Sequence, residues 1–243
     1  MTKTVIFWPF TEGHLRAGCF DQYPEQANDF GKGVLMGLKV LALGTALAMA
    51  AQGAQAQEAT PIQKMQAAKT LFEIGVQAQD PLYMLAAARL RKSVPLKAAE
   101  RAPDGKMAAE GAPLGWDDML TQAEELAYGN SLLTGLIGDI RAERNKGVVN
   151  GPVYSIVTLK AGGRDEYPGI TFRGGEYAEI YVEGTSGSDL NLLVRDAQGR
   201  LVCSDTDISD IAYCGWRPPA DEAFTVTVVS EGARGGEYSM MTN

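Results

Sequence analysis

The chain has 243 residues, 45% apolar and 21% charged, with 28 glycines and 11 prolines, the composition of a folded globular protein rather than of collagen, a coiled coil or a disordered chain. Its formal charge of −8 argues against an electrostatic grip of the whole chain on nucleic acid or on an anionic membrane. With one histidine and three cysteines, most nucleophilic and metal chemistry is already short of residues.

Residues 1–35 mix Trp8, Phe10, His14 and Cys19 with scattered acids and show no sustained period. We expect a non-structural extension there, either an over-extension ahead of a start at Met36 or a long n-region. Met36-Gly37-Leu38-Lys39 is a basic start, Val40 to Ala51 an apolar run, and Ala54-Gln55-Ala56 the small-residue pattern that a signal peptidase reads. Residues 36–56 therefore read as a signal peptide cleaved between Ala56 and Gln57. The apolar run, about 12 residues long, falls short of the roughly 20 that span a bilayer. The expectation is a periplasmic or secreted protein with no membrane span after cleavage. Removing 1–56 takes away His14 and Cys19, so the mature chain keeps no histidine and only Cys203 and Cys214. An even pair in an exported chain reads as a disulfide.

Composition changes near residue 150, and we expect a small helical-hairpin domain over 57–148. Ile62, Met65, Ala68, Phe72 and Val76 recur at helical spacing. Asp80 caps a second helix with Pro81 at its first position, and Leu82, Leu85, Ala86 and Leu90 form its stripe. Residues 93–115, broken by Pro95, Pro103, Gly105, Gly111 and Pro113, read as a long connection. Trp116 opens a third helix and Asn130 caps a fourth. The two pairs align at an offset of 50, as in a decayed repeat resembling tetratricopeptide hairpins, or simply as any two capped amphipathic pairs would. Arg89, Arg91, Lys92, Lys97 and Arg101 form a basic tract. It is a candidate docking patch for the acidic second domain or for an acidic partner, or else a solvated face.

From Val153 the period becomes two. Ala178, Ile180 and Val182 face one way, and Tyr177, Glu179, Tyr181 and Glu183 the other. Asp196 to Gly199 reads as a hairpin turn, and further strands follow around Phe224 to Val228 and Tyr238 to Met241. Short strands at regular spacing with glycine-rich turns predict an antiparallel β-sandwich over 152–243. Arg173-Gly174-Gly175-Glu176-Tyr177 recurs as Arg234-Gly235-Gly236-Glu237-Tyr238, which reads as one turn used twice, the alternative being a recognition motif.

Ser188-Asp189-Leu190-Asn191-Leu192-Leu193-Val194-Arg195-Asp196, then Gly199, Val202 and Ser204-Asp205, resembles the core of the bacterial pre-peptidase C-terminal domain family over roughly 155–243. The resemblance implies a jelly-roll-like sandwich. In that family the module usually follows a secreted peptidase and aids export, stability or substrate attachment, and some members bind calcium or matrix protein. Asn191 stands where the family commonly carries an acid.

Asp205, Asp207 and Asp210, with Asp189, supply hard oxygen ligands and form a candidate calcium site; the alternative is an acidic, solvated hairpin. Without a mature histidine there is no Ser-His-Asp or Cys-His pair, and no phosphate-binding glycine loop is present. The fold class is thus α+β, a helical part followed by an antiparallel sandwich. The expected function is non-catalytic binding or adhesion at the bacterial envelope, with a protein or glycan partner and no nucleic acid. The alternatives are a stabilising or export-assisting partner of a secreted protein, and a hydrolase working with two carboxylates.

Overall fold

The computed structural model has four helices among its described residues, the second and fourth beginning at the caps Asp80 and Asn130 and the third at Trp116, as read from the sequence. The helices are α1 (Pro61–Ala78), α2 (Pro81–Lys92), α3 (Trp116–Leu126) and α4 (Ser131–Ala142). Thr60 and Gln63 satisfy each other's backbone N–H groups in a capping box ahead of α1. Asp80 accepts from the Leu82 N–H at 2.9 Å, and Asn130 accepts from Leu132 and Leu133. The α1–α2 hairpin is tight because Gly75 lies against Met84, where a Cβ would come within 2.6 Å of the Met84 side chain. Met84, Leu85 and Ala88 of α2 join Met119, Leu120 and Ala123 of α3 in one helical core. The structure describes residues 58–144, 151–185 and 187–243. The expected extension 1–35, the signal segment with Ala56 and Gln57, and the joint at 145–150 lie outside them.

The strands are β1 (Lys97–Ala98), β2 (Val153–Leu159), β3 (Arg164–Phe172), β4 (Ala178–Gly184), β5 (Leu190–Arg195), β6 (Leu201–Asp205), β7 (Ile211–Trp216), β8 (Glu222–Ser230) and β9 (Gly236–Thr242). One sheet runs β1-β2-β9-β4-β7 and the other β3-β8-β5-β6. Leaving β1 aside, these are two four-stranded antiparallel sheets in jelly-roll order. Their facing side chains, among them Leu159, Ile180, Val182, Leu192, Val194 and Val226, make the main core. Gly199 closes the β5–β6 turn at φ +77°, as the hairpin reading requires. The two Arg-Gly-Gly-Glu-Tyr copies differ: the first turns before β4, whereas in the second Gly236 already begins β9.

Residues 93–115 are more than a connection. Lys97 and Ala98 pair in parallel with Val153 and Tyr154, and Ala109 bridges to Ile156. The segment covers the edge of β2, which would otherwise present unpaired backbone groups.

The described residues form one compact unit, so the change of composition near 150 separates two kinds of secondary structure that share a core. Ile62 and Met65 of α1 pack with Val94, Tyr181 of β4 and Met241 of β9. The alternation in β4 is real, but its second face is covered rather than solvated. Glu179 and Glu183 are buried there, each with its partners. Glu179 accepts from Thr60 Oγ1 at 2.6 Å and from the Tyr213 hydroxyl at 2.8 Å. Glu183 takes a two-pronged bond from the Arg91 guanidinium and a third from the Tyr181 hydroxyl at 3.0 Å. Burial first, and the neighbouring Glu183 second, push the Tyr181 hydroxyl far up, so it stays protonated and donates.

Removing one partner of such a buried pair strands the other. Arg91→Met should therefore cost about 3–5 kcal/mol in urea unfolding, and the added change Glu183→Leu should recover most of it. Equal losses in the single and double variants would show that the pair itself is not what holds the helices on β4.

Cys203 and Cys214 are joined in a disulfide with a Cα–Cα distance of 5.9 Å. They lie on β6 and β7, the outermost strands of opposite sheets at one edge of the sandwich. Closing so short a loop should contribute about 2–3 kcal/mol. Cys203→Ser should accordingly lower the melting temperature by roughly 5–10 °C. An unchanged melting temperature would mean that the edge holds without its covalent staple.

Candidate functional site

A cleft of about 540 Å³ opens where α1 and α3 face two loops of the sandwich. On α1, Lys69, Phe72, Glu73 and Val76 fall at helical spacing on one stripe, and Gln122 projects from α3. The opposite wall is made by Ser188 and Asp189 ahead of β5 and by Ile208 to Asp210 ahead of β7. Both loops are pinned by backbone bonds. Leu190 N–H donates to Ser209 O at 2.8 Å, Gly184 N–H to Asp210 O at 2.7 Å, and Glu231 N–H to Asp189 O at 2.8 Å.

The floor is an ion cluster. The Lys69 ammonium lies 2.7 Å from Glu73 and 3.1 Å from Asp210, with the Lys69 and Asp210 side chains both under a tenth exposed. Burial works against the Lys69 charge, but the Glu73 hydrogen bond and the charges of Asp210 and Glu73 outweigh it and hold its pKa above the usual lysine value. Burial also raises the Glu73 carboxyl, Lys69 pulls it down, and Asp210 beside it adds to the rise. Lys69 also lines a second cavity of about 300 Å³, walled by Pro113, Leu114, Glu183 and Ser239. The lysine thus lines both cavities.

The structure does not gather the four acids of the candidate calcium site. Among the described residues no three His, Cys, Asp or Glu side chains meet as metal ligands. Asp205 instead accepts the N–H groups of Asp207 and Tyr213, at 3.3 and 2.8 Å. Asp210 is taken by Lys69, whose ammonium supplies the positive charge a metal would bring. Asp189 lines the cleft from the other loop, and Asp207 is exposed.

The basic tract divides. Arg91 docks on Glu183 and Arg101 donates to Thr242 Oγ1 at 3.0 Å, both onto the sandwich. Just beyond the tract Lys106 reaches the buried Asp165 at 2.5 Å. Asp165 in turn accepts from Tyr238, whose hydroxyl meets that of Tyr167 at 2.7 Å. Lys92 donates to the last carbonyls of α4, at Ile140 and Arg141, and lies 4.1 Å from the centre of the Trp116 ring. Arg89 pairs with Glu143 on the surface, and Lys97 is exposed on β1. No helix among the described residues is long and apolar enough to cross a membrane.

Lys69 and Glu73 escaped the sequence reading. The signal was there: Ile62, Met65, Lys69, Phe72 and Val76 are spaced three, four, three and four, so a lysine sits in the middle of an apolar stripe.

No family model and no curated protein matches the chain. Among solved structures it is similar to the pre-peptidase C-terminal domain of a collagenase from Bacillus anthracis, with 13% identity, 37% of this chain and 87% of that one covered, and a TM-score of 0.31. It is also similar to a periplasmic inhibitor of g-type lysozyme from Aeromonas hydrophila, with 13% identity, 42% and 90% covered, and a TM-score of 0.26. A third is the C-terminal CBM6 of a marine laminarinase from Zobellia galactanivorans, with 11% identity, 37% and 79% covered, and a TM-score of 0.24. These are weak likenesses of fold alone.

Lys69→Met would leave Glu73 and Asp210 together without their cation. It should cost about 3–5 kcal/mol near pH 8, by urea unfolding. The sign against pH follows from linkage. Without Lys69 the Glu73 carboxyl loses what pulls it down while burial and Asp210 still raise it, so its native pKa lies above the unfolded value and the native state regains stability as the pH falls. The deficit should therefore shrink towards pH 5, and a deficit constant between the two would exclude charge as its cause.

Proposed function

We propose that the protein is a non-catalytic, exported binding protein of the bacterial envelope, and that its ligand seats in the cleft between α1, α3 and the loops preceding β5 and β7. The observation that carries this reading is the cleft itself, with walls held by backbone hydrogen bonds and a floor whose charges are already paired. Such a surface is preorganised for recognition, since backbone hydrogen bonds hold Asp189, Ser209 and Asp210 in place. Export is supported by the disulfide and by the signal-like pattern over 36–56.

A second reading, docking through the helices, is favoured by their exposed apolar side chains. Leu82 is 55%, Leu132 73% and Tyr128 95% exposed, more than the helical core needs.

The two readings separate by substitution. Mature chain immobilised on beads is offered solubilised envelope fractions and envelope glycans, beside Gln122→Trp, which fills the cleft, and Leu132→Glu, which charges the helical surface. Retention lost in Gln122→Trp and kept in Leu132→Glu supports the cleft. The reverse pattern overturns it in favour of docking through the helices.

A further inference from the structure

We propose that the cleft takes a basic peptide segment, one that carries a lysine or arginine beside an apolar side chain. This rests on the cleft being the binding site and names the chemistry of its occupant.

Charge comes first. The ionisable groups lining the cleft are Lys69, Glu73, Asp189 and Asp210. Lys69 is spent on Glu73 and Asp210, so the lining keeps an excess of carboxylate. The Asp189 carboxylate has no hydrogen bond or ion pair among the described residues, although its backbone is pinned by Glu231. Asp207, whose carboxylate is likewise unpaired among them, stands next to the cleft-lining Ile208. An anionic occupant would meet repulsion, and a neutral one would leave Asp189 desolvated without a partner. A cation satisfies it.

The second observation is Ile208. It is 92% exposed at the tip of the loop preceding β7, where it buries nothing for the fold. The loop is held all the same. Asp205 binds the N–H groups of Asp207 and Tyr213, and the disulfide joins the two flanking strands. An aliphatic side chain held out on a fixed backbone loses little freedom when a partner covers it, which suits an interface anchor. Val76 of α1, which lines the same cleft, is 38% exposed. Gln77 and Gln122 each offer an amide donor and an acceptor, the pair of functions a peptide backbone requires. A saccharide would want an exposed ring to stack on, but the aromatic side chain lining the cleft, Phe72, is 6% exposed.

The test uses fluorescein-labelled peptides of one length and one leucine content, bearing lysine, glutamine or glutamate at the same positions. Their anisotropy is titrated with the mature protein and with Asp189→Asn, Ile208→Ser and Gln122→Trp, each first checked by thermal melting. The lysine peptide should bind best and lose affinity with added salt. Asp189→Asn should weaken it about tenfold, equivalent to about 1.4 kcal/mol. Ile208→Ser should speed its release, and Gln122→Trp should abolish binding. Equal binding of all three peptides, or preference for the glutamate peptide, overturns the basic class; if that binding is still lost in Gln122→Trp, the cleft remains the binding site. Binding of neutral oligosaccharides alone, lost in Gln122→Trp, likewise overturns the peptide and keeps the cleft. Lysine-peptide binding unaffected by all three variants overturns the cleft as well.

Discussion

The seating of α1 and α2 on the sandwich depends on how the second face of β4 is covered. That face presents Glu179, Tyr181 and Glu183, and two carboxylates cannot be buried without partners. The helical part brings them. Thr60, which caps α1, also donates to Glu179, so one hydroxyl both starts the helix and pins it to the strand. Arg91, at the end of α2, meets Glu183. The charges therefore determine where along β4 the hairpin rests, since an apolar contact alone would tolerate sliding. Ile62, Met65, Tyr181 and Met241 then fill the space between.

The cleft is a consequence of that docking. Lys69 lies two turns beyond Ile62 on the same stripe of α1, so once the helix start is pinned the lysine is carried to Asp210. Beyond that contact lies the open space that Glu73, Val76 and Gln77 line. The same loop that accepts Lys69 is stapled below by the disulfide. The covalent bond between the two sheets closes the loop from residue 203 to residue 214, and the ion cluster holds Asp210 within it.

Much of the fold could be read from residue order. Capping residues and apolar spacing gave the helices, and the period of two gave the strands, because both signals are local and recur every few residues. The cysteine pair followed from counting once the leader was set apart, and the described structure holds that bond. The segment 93–115 was less legible: its prolines and glycines are the marks of a loop, yet two of its residues complete a sheet edge. Backbone pairing across more than 50 positions leaves no trace in side-chain pattern.

The site shows the division most clearly. Sequence alone determined that this protein is a helical part followed by an antiparallel sandwich, with an acidic loop beside a cysteine pair. It could equally well have turned those acids towards calcium, towards solvent or towards a cation of the chain itself. Only the tertiary structure decided that Lys69 answers Asp210 and that Arg91 answers Glu183. Those partners stand 141 and 92 positions apart, and like any pair of opposite charges they carry no mark of which member belongs to which. Local preferences are written into neighbouring residues, whereas the pairing of distant charges is chosen by the geometry that buries them together.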